Sequence, residues 1–163
     1  MHAESFSPAE SELRYTKMDE RIVPRLTPIM IAAFDDDSRR FRGIERGGPP
    51  GYDDGSFLRR WGLQSPTQSY AIWQKDSLIG AYIVWWRAEE SRLGAVFLHP
   101  TVQGQGIGQR LWRHIEQTYP AKSWVLDTPT WAVRCHHFYE RCGFTRAGAS
   151  GDQVVFRKRL ATT

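Results

Sequence analysis

Three glycines set the chemistry open to this sequence. They lie in Gln103-Gly104-Gln105-Gly106-Ile107-Gly108, between an apolar run that stops at Pro100 and a helical pattern that starts near Gly106. Glycine at such a junction lets backbone N–H groups approach an anion with no Cβ in the way, and the positive end of the helix dipole adds to them. Phosphate is the natural guest. A Walker loop would need Gly-Lys followed by Ser or Thr, whereas Gly108 is followed by Gln109-Arg110. A dinucleotide loop would need G-x-G-x-x-G, whose third glycine falls on Gln109 or Leu111 depending on the start. Taken alone, the glycines fit a tight turn as well as a phosphate cradle.

Other reactive residues are sparse. Cys135 and Cys142 fall in one predicted helix, about 10 Å apart along its axis, too far for a disulfide. His136 and His137 lie beside Cys135, but successive helical residues diverge and no CxxC or HExxH spacing occurs, so no metal is expected. Two reduced thiols agree with a cytoplasmic protein. The 163 residues carry 22 Lys plus Arg against 18 Asp plus Glu, a net charge of +4. Arg39, Arg40, Arg42 and Arg46 stand beside Asp35, Asp36 and Asp37, so no face is basic throughout and no nucleic-acid partner is expected. No run approaches the ~20 apolar residues of a membrane span, and Met1 to Glu10 lack a secretory pattern.

The elements that must position the glycine loop emerge from periodicity. Residues 1–11 read as a loose polar lead-in to a single domain over 12–163. Leu13–Met18 alternates as a first strand, and Asp19 can cap a helix with Ile22, Val23, Leu26, Ile29, Met30 and Ala33 on one face. Pro28 should kink that helix, and the Gly- and Pro-rich stretch 35–55 reads as a long loop. Asp53 or Asp54 can cap a short helix through Leu63. Ser69–Gln74 and Leu78–Arg87 form a hairpin, and Leu93–His99 makes a third strand. A helix from Gly106 stops at Pro120; Ser123–Leu126 is a short strand; a helix comes next over Trp131–Cys142; Gln153–Leu160 is a last strand, with one more at Phe144–Ala147. This order defines an α+β fold, a mixed sheet with helices packed on it.

Gln103, Gly106 and Gly108 resemble the Gln/Arg-x-x-Gly-x-Gly/Ala signature of the GNAT superfamily of N-acetyltransferases, and Phe138-Tyr139-Glu140-Arg141-Cys142-Gly143-Phe144 resembles its Phe-Tyr-x-x-x-Gly-Phe motif. The two occur in the family's order, separated by one strand, and the likeness extends over residues 12–160. Within the superfamily, the stretches Gly47–Asp53 and Leu126–Tyr139 are similar to one group of bacterial members. The resemblance implies a twisted, mostly antiparallel sheet of six to seven strands, flanked by about four helices.

It also implies acetyl-CoA as acyl donor and a primary amine, on a small molecule or a protein, as acceptor. The cofactor pyrophosphate would lie on the amides of Gln103, Gly104, Gln105, Gly106, Ile107, Gly108 and Gln109. The pantetheine arm would pair with the backbone of Phe97, Leu98 and His99, and Phe138 and Tyr139 would complete the site. The Leu98 amide would hold the thioester carbonyl, and Tyr139 would act as general acid toward the departing thiolate. As a plain helix aromatic, Tyr139 would instead pack on the last strand. For the general base, Asp127, Glu90, His99, His137 and water stand open. Family members often carry Asn seven residues before the tyrosine, where this chain has Ala132. The acceptor would enter past Asp35–Asp37, Tyr52, Asp53, Asp54, Trp61 and the Trp85–Trp86 pair, although Asp35 and Asp53 serve equally well as helix caps. A different acyl-CoA and a non-catalytic CoA-binding sensor are the rival readings. The chain is expected as a monomer or homodimer.

Overall fold

A computed structural model describes residues 12–160. The expected lead-in at residues 1–11 lies outside that range. Seven strands form one sheet in the order β1-β2-β3-β4-β5-β7-β6. They are β1 Leu13–Lys17, β2 Gln68–Gln74, β3 Ser77–Trp85, β4 Glu90–Leu98, β5 Ser123–Pro129, β6 Thr145–Ser150 and β7 Gln153–Arg159. All neighbours are antiparallel except β4 and β5. Those two run parallel over three pairs only, Glu90–Ser123, Ser91–Trp124 and Arg92–Val125. Beyond Arg92, β4 stays with β3 and β5 stays with β7, so the sheet splays into a cleft.

The helices are α1 Val23–Arg42, α2 Ser56–Leu58 with a π-helical turn over Arg59–Leu63, α3 Ile107–Thr118 and α4 Val133–Arg141. Among the described residues no helix is long and apolar enough to cross a membrane. Strand alternation explains how α1 and α3 take opposite faces. On β3, Tyr82 and Val84 join Ile107, Leu111 and Ile115 of α3, with Trp124 and Phe156. Ala81 and Ile83 point the other way, onto Val23, Leu26, Met30 and Ala33 of α1. Each fully buried aliphatic side chain in these clusters contributes roughly 1.5–3 kcal/mol.

Two expectations need correction. Helix α1 does not stop at the acidic run; it continues to Arg42, so the loop covers residues 43–55. The Asp19 carboxylate accepts the Ile22 N–H at 3.0 Å, holding the turn before the helix rather than its first residue. The helix also runs through Pro28, with the Thr27 hydroxyl donating to the Val23 carbonyl at 2.8 Å. Asp35 is buried and accepts from the Tyr52 hydroxyl at 2.6 Å and the Gly47 N–H at 3.0 Å. Ser38 donates to the Gly47 carbonyl at 2.8 Å, so two α1 side chains pin the loop.

Candidate active site

At the open end of the cleft, β4 runs into a 3-10 turn over Pro100–Val102, then the glycine loop, then α3. Gly104 and Gly106 adopt φ of +77° and +76°, a region that L side chains rarely enter. Among the described residues, none of the amides from Gly104 to Gln109 donates to a backbone carbonyl. They form a run of unspent donors at the head of a twelve-residue helix. The Gln103 side chain is structural here: its Nε2 donates to the Leu98 carbonyl at 3.0 Å and ties the loop to the strand.

The third glycine has another purpose. A Cβ on Gly108 would lie 2.7 Å from Cε1 of the Phe138 ring, so its absence lets α4 close on α3. Gly108→Ala is therefore expected to cost about 1–3 kcal/mol. In thermal unfolding, adding Phe138→Leu to that variant should recover part of the loss.

Register decides which β4 groups face the cleft. The His99 N–H donates to the Ile79 carbonyl of β3 at 2.7 Å, and the His99 carbonyl accepts from Val102. In the same regular register Phe97 pairs with Ala81. Backbone groups of alternate residues point to opposite edges, so those of Val96 and Leu98 face the open edge. The Leu98 carbonyl is taken by Gln103, which leaves its N–H for a ligand. Phe97 and His99, expected to pair with a ligand through their backbones, spend those groups on β3 and the next turn. The Phe97 side chain still lines the cleft.

The cleft encloses a cavity of about 470 Å³. Leu98, Gln103, Gly104, Gly106, Gly108 and Gln109 line it from one side, and Phe138 and Tyr139 from the other. Gln105 and Ile107 do not line it; the Ile107 side chain is in the core. Tyr139 packs its ring 5.7 Å from Phe144 and 6.1 Å from Phe156. Burial, then the neighbouring Cys135, Cys142 and Asp37, raises its phenol well above the ordinary value. The group thus stays protonated at neutral pH. Burial likewise pushes the Cys135 thiol up to about 12 and that of Cys142 to about 11, so neither supplies a thiolate.

None of the four side chains considered as base lines this cavity. Asp127 accepts from Arg92 at 3.1 Å, and Glu90 from Ser123 at 2.8 Å and Arg157 at 3.0 Å. The Nδ1 of His99 holds the Thr101 N–H at 3.2 Å, and His137 is exposed. Of the residues expected around the acceptor, Asp54 holds the Ser56 N–H, Asp53 pairs with Arg46, and Trp61 packs edge-on to Trp85. Only Asp37 reaches the cavity, beside Ala33 and Phe34 of α1. Arg134 of α4, which the sequence motifs did not single out, lies across from it and pairs with both Asp36 and Asp37. Ala132 is buried at the head of α4 and offers no side-chain cap.

A strand edge opened by a splayed sheet thus lies beside a glycine loop that heads a helix. The sequence model of the acetyltransferase (GNAT) domain matches residues 65–146, half of the chain, so the protein belongs to the GNAT acetyltransferase family. The PaiA N-acetyltransferase of Thermoplasma acidophilum, solved with coenzyme A, superposes with a TM-score of 0.70 at 16% identity, over 91% of this chain and 99% of that one. An acetyltransferase of Thermus thermophilus gives 0.74 at 14% identity, over 91% and 97%. Spermidine N-acetyltransferase of Vibrio cholerae, solved with CoA and spermine, gives 0.59 at 13%, over 89% and 92%. At these identities the likeness is one of fold. No protein of curated function matches the chain.

Proposed function

We propose that this protein transfers the acetyl group of acetyl-CoA to a primary amine of a small molecule or peptide, by direct attack of the amine in a ternary complex. The observation that carries this reading is a convergence on one cavity. The unspent amides of Gly104, Gly106, Gly108 and Gln109, the open N–H of Leu98 and the phenol of Tyr139 all belong to residues that line it. The loop amides fit a pyrophosphate, since they are donors without partners at the positive end of α3. The acceptor ammonium would first lose a proton to water. The Leu98 N–H would hold the thioester carbonyl oxygen during attack by the free amine, the Tyr139 hydroxyl would protonate the departing sulfur, and the second proton shed by the new amide nitrogen would restore the phenol. Acetyl-CoA, when bound, supplies the activated acyl group. The two relatives solved with coenzyme A, one of them also with spermine, support a CoA-type donor and an amine acceptor.

Thermal unfolding tests the donor. At 100 times its dissociation constant, acetyl-CoA should add about 2.7 kcal/mol, a shift of several degrees. Free CoA should act similarly and NADP should not. No shift at saturating acetyl-CoA would sink the reading, whereas a shift licenses an amine screen monitored by release of free thiol.

A further inference from the structure

We propose that Asp37 anchors the acceptor in its ammonium form before a proton passes to water and the free amine attacks, and that the acceptor is therefore a primary ammonium carried on an apolar stem. The inference rests on the acetyl-CoA reading and adds the chemistry of the second substrate. Among the described residues that line the cavity, Asp37 is the only carboxylate, beside the cations Arg134 and Arg141. It stands one helical turn after Ala33 and Phe34, which line the same wall, and Val96 of β4 lines it too. An ammonium group at Asp37 would thus bring its carbon chain against apolar surface.

The neighbouring acids show why Asp37 has capacity left. Asp35 is spent on Tyr52, Gly47 and Arg46. Asp36 accepts from Arg40 at 3.1 Å and from Arg134 at 2.9 Å. Asp37 accepts from Arg134 through Oδ1 alone, and among the described residues its Oδ2 has no hydrogen-bond partner. Arg134 therefore fixes the carboxylate while one oxygen stays open to a second cation. Helix α4 packs opposite, with Cys135 and Tyr139 lining the same cavity as Asp37. The carboxylate and the phenol thus share one cavity, as the groups serving the two ends of an amine–thioester pair must.

Paired CoA thioethers test this without a known acceptor. In one series the CoA sulfur carries an aminoalkyl chain of two to five carbons; in the other it carries the neutral alkyl chain of equal length. Titrated into the wild-type protein, at least one aminoalkyl compound should bind about tenfold more tightly than its alkyl partner. Asp37→Asn should abolish that preference while leaving the alkyl series unchanged, which also shows that the variant is folded. Asp127→Asn, an equal change of net charge outside the cavity, should keep the preference. Equal binding of the two series to the wild type, or a preference that survives Asp37→Asn, overturns the assignment. If neither series binds, the donor reading fails and the assignment falls with it.

Discussion

Gly80→Ala is expected to lower thermal stability by about 1–3 kcal/mol and to reduce turnover by about 10²-fold. A Cβ at position 80 would lie 2.0 Å from the Phe97 carbonyl oxygen and 3.1 Å from the Leu98 Cα. Both are backbone atoms of the paired strand, so no side-chain rotation relieves the contact. β4 must move, and with it the Leu98 N–H that faces the cleft. A displacement of that donor by about 1 Å is enough for the loss of rate. The measurement pairs a melt with thiol release from acetyl-CoA, using an amine that the wild type acetylates. A variant with wild-type melt and rate would show that the β3–β4 spacing does not position the donor.

Tyr139→Phe should lower turnover by up to about 10²-fold while leaving acetyl-CoA affinity roughly unchanged. The phenyl ring keeps the contacts that Tyr139 makes with Phe138, Phe144 and Phe156, so the substitution removes little beyond the hydroxyl. A CoA-binding sensor would have no turnover to lose, so the substitution separates an enzyme from that rival. Because burial holds the phenol above its ordinary value of 10.0, the acid stays protonated across the neutral range. No loss of rate from Tyr139 deprotonation is then expected as pH rises toward that value. Wild-type turnover in Tyr139→Phe would assign the proton to another donor.

The parts of this fold legible in the sequence are those with local causes. The glycine loop, the helix it heads and the stop at Pro120 all lie within one short window, as does the β2–β3 hairpin. The end of α1 reads as loop because aspartate is a weak helix former and three stand in a row. The helix continues because Arg39, Arg40 and Arg42 face the negative end of its dipole and Gly43 closes it with a φ of 67°. That basic turn capped by glycine is a signal the acidic run obscures. The cavity wall is legible only in part. Asp37 stands out as an acid, yet its place opposite Arg134 depends on α1 and α4 meeting across the sheet, and no local window contains both. The pairing of the carboxylates considered as bases is hidden for a similar reason: Arg92 of β4 reaches Asp127 on the next strand, and Arg157 of β7 reaches Glu90 from two strands away.

The brevity of the β4–β5 joint bears on how the chain is made. Strands β1 to β4 pair each with the next in sequence, so they can assemble as a meander while the ribosome is still adding β5 to β7. During that interval the outer side of β4 is a bare strand edge, open to a neighbouring nascent chain. Its later partner covers only Glu90 to Arg92, so the stretch to Leu98 needs protection that outlasts synthesis. The register break at Gly94 provides it, by twisting the edge. The opening proposed to admit a thioester is thus also the place where misassembly between copies would begin.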